Sequence, residues 1–352
     1  MKKKILHIGG NLQRTPADNR DFGLIDLYVQ PKLSDIPDDW SFWKPIEIKD
    51  QKQTQQCTGH GVASAIEAHE KVILNPSVQY AFIKEIAGDP TDTGANLRDA
   101  MKSGVKYGAV KRIDCEIDVH MHNGSFLANL KNYPQEVTTL AKLQQQKSYF
   151  NATRGSYNRF DNFRSWLWYF GNKDKDKPPV IVTGVGWREN WTYAPNGIIP
   201  DEPGDVVGGH CVAILPETKM INGEHGSRLY LKIQNSYNSN IGDKGCFWFP
   251  ASVINRDFTY GGYLYLDRDP EEVKLIIKEK SMAEGTEKQW YESKEMLVSL
   301  LTVLNVVLGK LGISNIEMTP ELYGLLMAVI AYIRFFHTSQ PIAPIAGFGK
   351  KK

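Results

Sequence analysis

Residues 50–68 read DQKQTQQCTGHGVASAIEA. Gln51 precedes Cys57 by six residues. From Cys57 onward, Val62, Ile66, His69 and Ile73 recur at three- and four-residue steps. That spacing predicts a helix over 57–74, with Cys57 at its start. A thiol attacks as the thiolate, so it needs a lowered pKa. The start of a helix favours an anion, through its unpaired N–H groups and its dipole. Cys57 is therefore a candidate nucleophile. A free cysteine is also commonly a buried, inert apolar side chain, so partners elsewhere in the chain decide between the two.

Those partners exist, in order. His210 lies in VVGGHCVAI, where Gly208 and Gly209 leave room for a substrate backbone beside it. Asn235, in LKIQNSYN, ends the next expected strand. Its amide oxygen can accept the imidazole N–H and set the tautomer. The Gln51 amide and the Cys57 backbone N–H can together form an oxyanion hole. If His210 points into a cleft, strand alternation turns Cys211 towards the core. His60, three residues after Cys57, can face it on the helix as a local base, though a packed or solvated side chain is the plainer reading.

The bulk properties exclude other classes. The chain has 352 residues, 41% of them apolar and 23% charged, as in ordinary soluble proteins. A net charge of +2 gives no footprint for nucleic acid. The four cysteines (Cys57, Cys115, Cys211 and Cys246) form no C-x-x-C pair, so neither a disulfide scaffold nor a zinc site is expected. His120 and His122 make an isolated H-x-H near Cys115, read as an exposed strand or loop. No cofactor or metal is expected. The apolar run at Ile5–Ile8 is too short for a signal peptide, so the chain is expected to be cytoplasmic as synthesised.

The helical period extends through Gly88–Val110, with an N-cap near Thr93, and through Arg159–Gly171. Residues 111–157 are mixed. The period then changes to two: Val180–Trp187, His210–Glu217, Arg228–Ser236, Gly245–Pro250 and Gly261–Asp267 read as strands. A helix-rich half followed by a strand-rich half predicts an α+β fold of two lobes. The expected divisions are an N-terminal arm over 1–35, a domain over 36–269, a charged helical linker over 270–295, and an apolar helical hairpin with a basic tail over 296–352. The apolar runs Met296–Leu311 and Leu322–Phe336 are each shorter than a bilayer span. They fit a packed hairpin or an oligomer contact, or membrane association aided by Lys350–Lys352.

Gln51, Cys57, Gly209-His210, Asn235-Ser236 and then GDKG before an aromatic strand make an ordered set that resembles the papain-like cysteine peptidases, over roughly residues 20–267. NRDFG at 19–23, IPDDW at 36–40 and residues 88–108 resemble the short-propeptide branch found in bacteria and viruses. The resemblance implies a helical left lobe, an antiparallel β-barrel-like right lobe and a cleft between them. It implies a cysteine-type endopeptidase acting on a peptide or protein substrate, with Cys57 as nucleophile, His210 as base and acid, Asn235 as orienter and Gln51 as oxyanion donor. It also makes residues 1–35 a short propeptide-like or cleft-covering arm.

The chain departs from the family pattern at several positions. Gln55 and Gln56 stand where glycine and serine usually precede the nucleophile, at the first substrate subsites. Tyr237 replaces the tryptophan that shields the His–Asn pair, and Cys211 replaces alanine. These departures keep a second reading open: an inactive homologue whose cleft binds peptide, with residues 296–336 docking it to a membrane or an assembly. Transglutaminase-like and amidase-like folds also order Cys before His, but Gln51 and Asn235 fit them less well.

Overall fold

A computed structural model describes residues 11–16, 22–117, 119–223 and 226–269. They lie in the first of the two units into which the chain divides, Met1–Lys278. The expected linker over 270–295 and hairpin over 296–352 fall outside the described residues. Among the described residues no helix is long and apolar enough to cross a membrane.

The helices are α1 (Cys57–Glu70), α2 (Pro76–Ala87), α3 (Leu97–Lys106), α4 (Gly124–Leu127), α5 (Val137–Ala141), α6 (Arg159–Lys173) and α7 (Ala251–Asp257). The strands are β1 (Trp40–Ser41), β2 (Ser148–Asn151), β3 (Ile181–Arg188), β4 (Val206–Gly223), β5 (Gly226–Gln234), β6 (Cys246–Pro250) and β7 (Gly262–Leu266). All strand pairs are antiparallel, in the order β2-β7-β3-β4-β5-β6, with β1 added to β4. The fold is α+β, as the change of period predicts. All five expected strands and the helix at Arg159 are present.

Local signals explain the helix ends. α1 stops at Glu70, four residues short of the expected end, because Lys71 turns left-handed at φ 56°. The chain then restarts at Asn75, whose side chain caps the N–H groups of Ser77 and Val78 ahead of Pro76. α3 is capped by Asn96 rather than by Thr93. Thr93 is drawn away: its hydroxyl donates to Asp89 Oδ2 at 2.6 Å and accepts from Lys84 Nζ at 2.9 Å.

The sheet has two covered faces, and alternation along β4 assigns residues to them. Cys211, Ala213 and Leu215 join the core around α1 and α3. Val212 and Ile214 join the core around α6 and α7. α1 is enclosed by α2 and α3 on one side and by β3 and β4 on the other, and every residue from Cys57 to His69 is buried. Such a helix needs small residues at its contacts. A Cβ on Gly59 would stand 2.5 Å from the Pro76 carbonyl oxygen, and one on Gly61 would stand 2.8 Å from Cys211 Sγ. The carboxylate of Glu67 on α1 is engaged inside: its Oε1 accepts from the Leu74 N–H at 2.7 Å and from the Lys49 ammonium.

Gly59→Ala tests this packing. Helix propensity alone would favour alanine by about 1 kcal/mol. The clash is with backbone, which moves only with α2, and overpacking of this kind costs about 1–3 kcal/mol. Chemical denaturation of the variant should give a net loss of stability. An unchanged or raised midpoint would mean that α1 is not held so closely.

Candidate active site

Two tertiary ties bring the separated motifs together. The loop before α1 pairs with the segment after β5: Asp50 bridges to Tyr237, and the Gln51 N–H donates to the Ser236 carbonyl at 2.8 Å. β4 runs beside β5, so His210 near the start of one strand reaches Asn235 just past the end of the other. Cys57 is the first residue of α1, against the same strand.

His210 Nε2 lies 2.9 Å from Asn235 Oδ1. An amide oxygen only accepts, so Nε2 carries the proton and Nδ1 is left as the acceptor of the neutral ring. His210 Nδ1 is buried and has no hydrogen-bond partner within the chain. The Tyr237 ring stacks on the imidazole at 4.7 Å, and Trp187 meets it edge-on at 5.4 Å. Tyr237 thus occupies the shielding position and, being buried, packs on the histidine rather than facing open solvent.

The Gln51 side chain is buried and fixed at both ends. Its Nε2 donates to the Thr54 carbonyl at 2.8 Å, and its Oε1 accepts from Ser236 Oγ at 2.5 Å. The Gln55 N–H donates to the Asp92 carboxylate at 3.1 Å, which ties the turn before Cys57 to the loop ahead of α3. Gln55 is half-buried. Gln56 is wholly buried, and neither polar atom of its side chain has a hydrogen-bond partner within the chain. Gly208 and Gly209 are half-buried at the head of β4, beside His210.

Both would-be reacting groups have no exposed surface. Burial pushes the Cys57 thiol up to about 11, against backbone N–H groups of Cys211, Thr58 and Cys57 that favour the anion. Burial also drives His210 down to about 4, partly offset by its bond to Asn235. In this state desolvation disfavours the charged form of each partner.

Residues 11–16 cross this region. The Leu12 N–H donates to the Gly209 carbonyl at 3.1 Å, and the Gln13 N–H donates to the Ala95 carbonyl at 3.1 Å. The segment therefore bridges β4, one residue before His210, and the loop ahead of α3. The Leu12 side chain is buried in the core cluster that contains Cys57, Ala95 and Cys211. Glycine permits the approach on both sides: a Cβ on Gly94 would collide with the Asn11 carbonyl, and one on Gly209 would stand 2.9 Å from the Leu12 carbonyl oxygen. Residues 22–35 behave differently. Leu24 is buried against the α6 core, and Gln30 Nε2 donates to Asn162 Oδ1 at 2.9 Å.

Other sequence candidates lie apart from this centre. His122 stacks on Phe126 at 3.8 Å, and Cys115 is buried in a separate core beside α2. Among the described residues no group of three or more His, Cys, Asp or Glu could hold a metal ion. Asp92 and Leu12 carried no local sequence signal for their places here, whereas Ser236 lies in the Asn235-Ser236 motif.

The sequence matches no family model and no curated protein. Solved structures are similar in fold. Xylellain, a cysteine protease from Xylella fastidiosa, superposes with a TM-score of 0.54 at 19% identity, over 76% of this chain and 99% of xylellain. Procathepsin B from Trypanosoma congolense gives 0.50 at 13% identity, over 73% of this chain and 86% of its own. The ragweed pollen cysteine protease Amb a 11, in its proform, gives 0.50 at 12% identity, over 71% of each chain. The described domain has the fold of the papain-like cysteine proteases.

Proposed function

We propose that this chain is a cysteine endopeptidase of peptide or protein substrates, and that residues 11–16 hold it latent. The observation that carries the reading is the 2.9 Å bond from His210 Nε2 to Asn235 Oδ1, which leaves Nδ1 as an acceptor on the strand packed against α1. The thiol proton of Cys57 passes to His210 Nδ1, and the thiolate attacks the peptide carbonyl carbon. The oxyanion is held by the Cys57 N–H and the Gln51 amide. His210 then protonates the leaving amine as the C–N bond breaks. Water, deprotonated by His210, hydrolyses the thioester and restores the thiol. No cofactor is required by this sequence of steps.

Leu12 supports the latency. Its side chain is buried against Gly184, in the core cluster that also contains Cys57, and the segment makes backbone hydrogen bonds to Gly209 and Ala95. With water excluded, Cys57 stays a thiol and His210 stays neutral until the segment leaves. A buried carboxylate without a partner is costly enough to expel a segment held by so few bonds, so Leu12→Asp should open the site in the full chain.

The test is alkylation of Cys57, located by mass spectrometry, together with cleavage of unfolded protein. In the unopened chain the thiolate fraction rises only as pH approaches 11, so labelling at neutral pH should be slow. Leu12→Asp should raise the neutral-pH rate by about a hundredfold or more, as the thiol pKa falls towards the activated range. Within that background His210→Ala should lower cleavage by at least about a hundredfold, and Cys57→Ser should abolish it. In the Leu12→Asp chain, labelling of Cys57 no faster than that of Cys115 or Cys246 would sink the peptidase reading. Tight peptide binding without cleavage would instead favour an inactive binding module.

A further inference from the structure

A small, partly open cavity of about 10 Å³ is lined in part by Lys49, His60, Ser64, Gln234 and Asn235. That is room for about one water. Three lining residues each bring a buried polar atom with no partner in the chain: His60 Nε2, Gln234 Oε1 and Asn235 Nδ2. All three residues are at least nine-tenths buried. Buried polar atoms left unpaired are expensive, and three residues lining one space each carry an atom that a bound water would satisfy.

We propose that this cavity holds one structural water, accepting from Asn235 Nδ2, donating to Gln234 Oε1 and bonded to His60 Nε2, and that His60 is thereby a positioning residue for the catalytic pair. Asn235 Oδ1 accepts from both His210 Nε2 and the Ser236 N–H at 2.6 Å. With Nδ2 anchored through water to α1, the whole amide is held and the imidazole with it. The charged and titratable groups bearing on His60 are Lys49, Asp50, His210 and Arg112. Burial, with Lys49 nearby, drives His60 down to about 3, so it stays neutral while His210 takes up a proton. His60 acts through Asn235 and the water; it is not the local base that its helical spacing from Cys57 allows.

The inference rests on His210 being the base. The experiment uses the full chain carrying Leu12→Asp and follows the rate of Cys57 alkylation against pH. His60→Phe should move the acid limb up by about one pH unit, the scale of one lost hydrogen bond, and so lower the rate on that limb by about tenfold. His60→Gln, whose amide can reach the same water, should restore most of it. A folded His60→Phe protein with a superimposable pH profile overturns the proposal. If His60→Phe does not fold, Gln234→Leu carries the same test with the same expected shift, and an unshifted profile again overturns it. If the parent shows no activated Cys57, the peptidase reading fails on its own. A high-resolution crystal structure then decides the water: density within hydrogen-bond distance of the three atoms supports it, and its absence refutes it.

Discussion

Everything in the site depends on α1 being enclosed on all sides. An enclosed helix cannot tilt or slide without disturbing α2 or the sheet, so the thiol at its first residue is fixed relative to β4. Glycine at 59 and 61 sets how near the neighbours come. The buried Lys49–Glu67 ion pair then extends the constraint into the loop that carries Gln51. Breaking that pair would leave a charge stranded beside α1, which is why the loop and the helix act as one part. His210, Asn235 and Tyr237 belong to the opposing part, the sheet, and Asp50 and Gln51 stitch the two together through Tyr237 and Ser236.

Much of this was legible because it is periodic or ordered. Period-two segments gave β3 to β7, and the ordered Gln, Cys, His and Asn pointed to one chemistry. What escaped notice depends on distant partners. β2 is a strand because Phe150 and its neighbours pair with β7, more than a hundred residues away. α2 was overlooked because the preceding helix ends on Lys71 rather than on glycine, which hid the restart at Asn75-Pro76. Thr93 looked like a cap until Asp89 and Lys84 engaged its hydroxyl. Leu12 could not be placed beside His210 from sequence, since nothing in Asn11–Pro16 distinguishes a cleft-filling strand from a loose terminus.

The departures from the family pattern have local accommodations. Gln56 is fully buried next to Cys57 in the chain. Gln55 is held by Asp92, whose carboxylate also bears on the thiol and opposes its ionisation. Tyr237 supplies a flat face to the imidazole where a larger ring is usual, and Trp187 covers the edge. Cys211 fits where alanine is common because Gly61 leaves space for its sulfur. These accommodations leave the His210–Asn235 geometry intact.

The segment that crosses the site belongs to the same chain, and that changes the arithmetic of competition. A tethered peptide samples its site at an effective concentration that can reach the millimolar range. In the latent state proposed above, Leu12 and Gln13 therefore need only feeble intrinsic affinity to keep the site filled most of the time. A dissolved substrate must outcompete that local supply, either by binding far more tightly or by being abundant. Severing the segment from the rest of the chain would dilute it to its bulk concentration. A single nick in the tether would then serve as the on-switch.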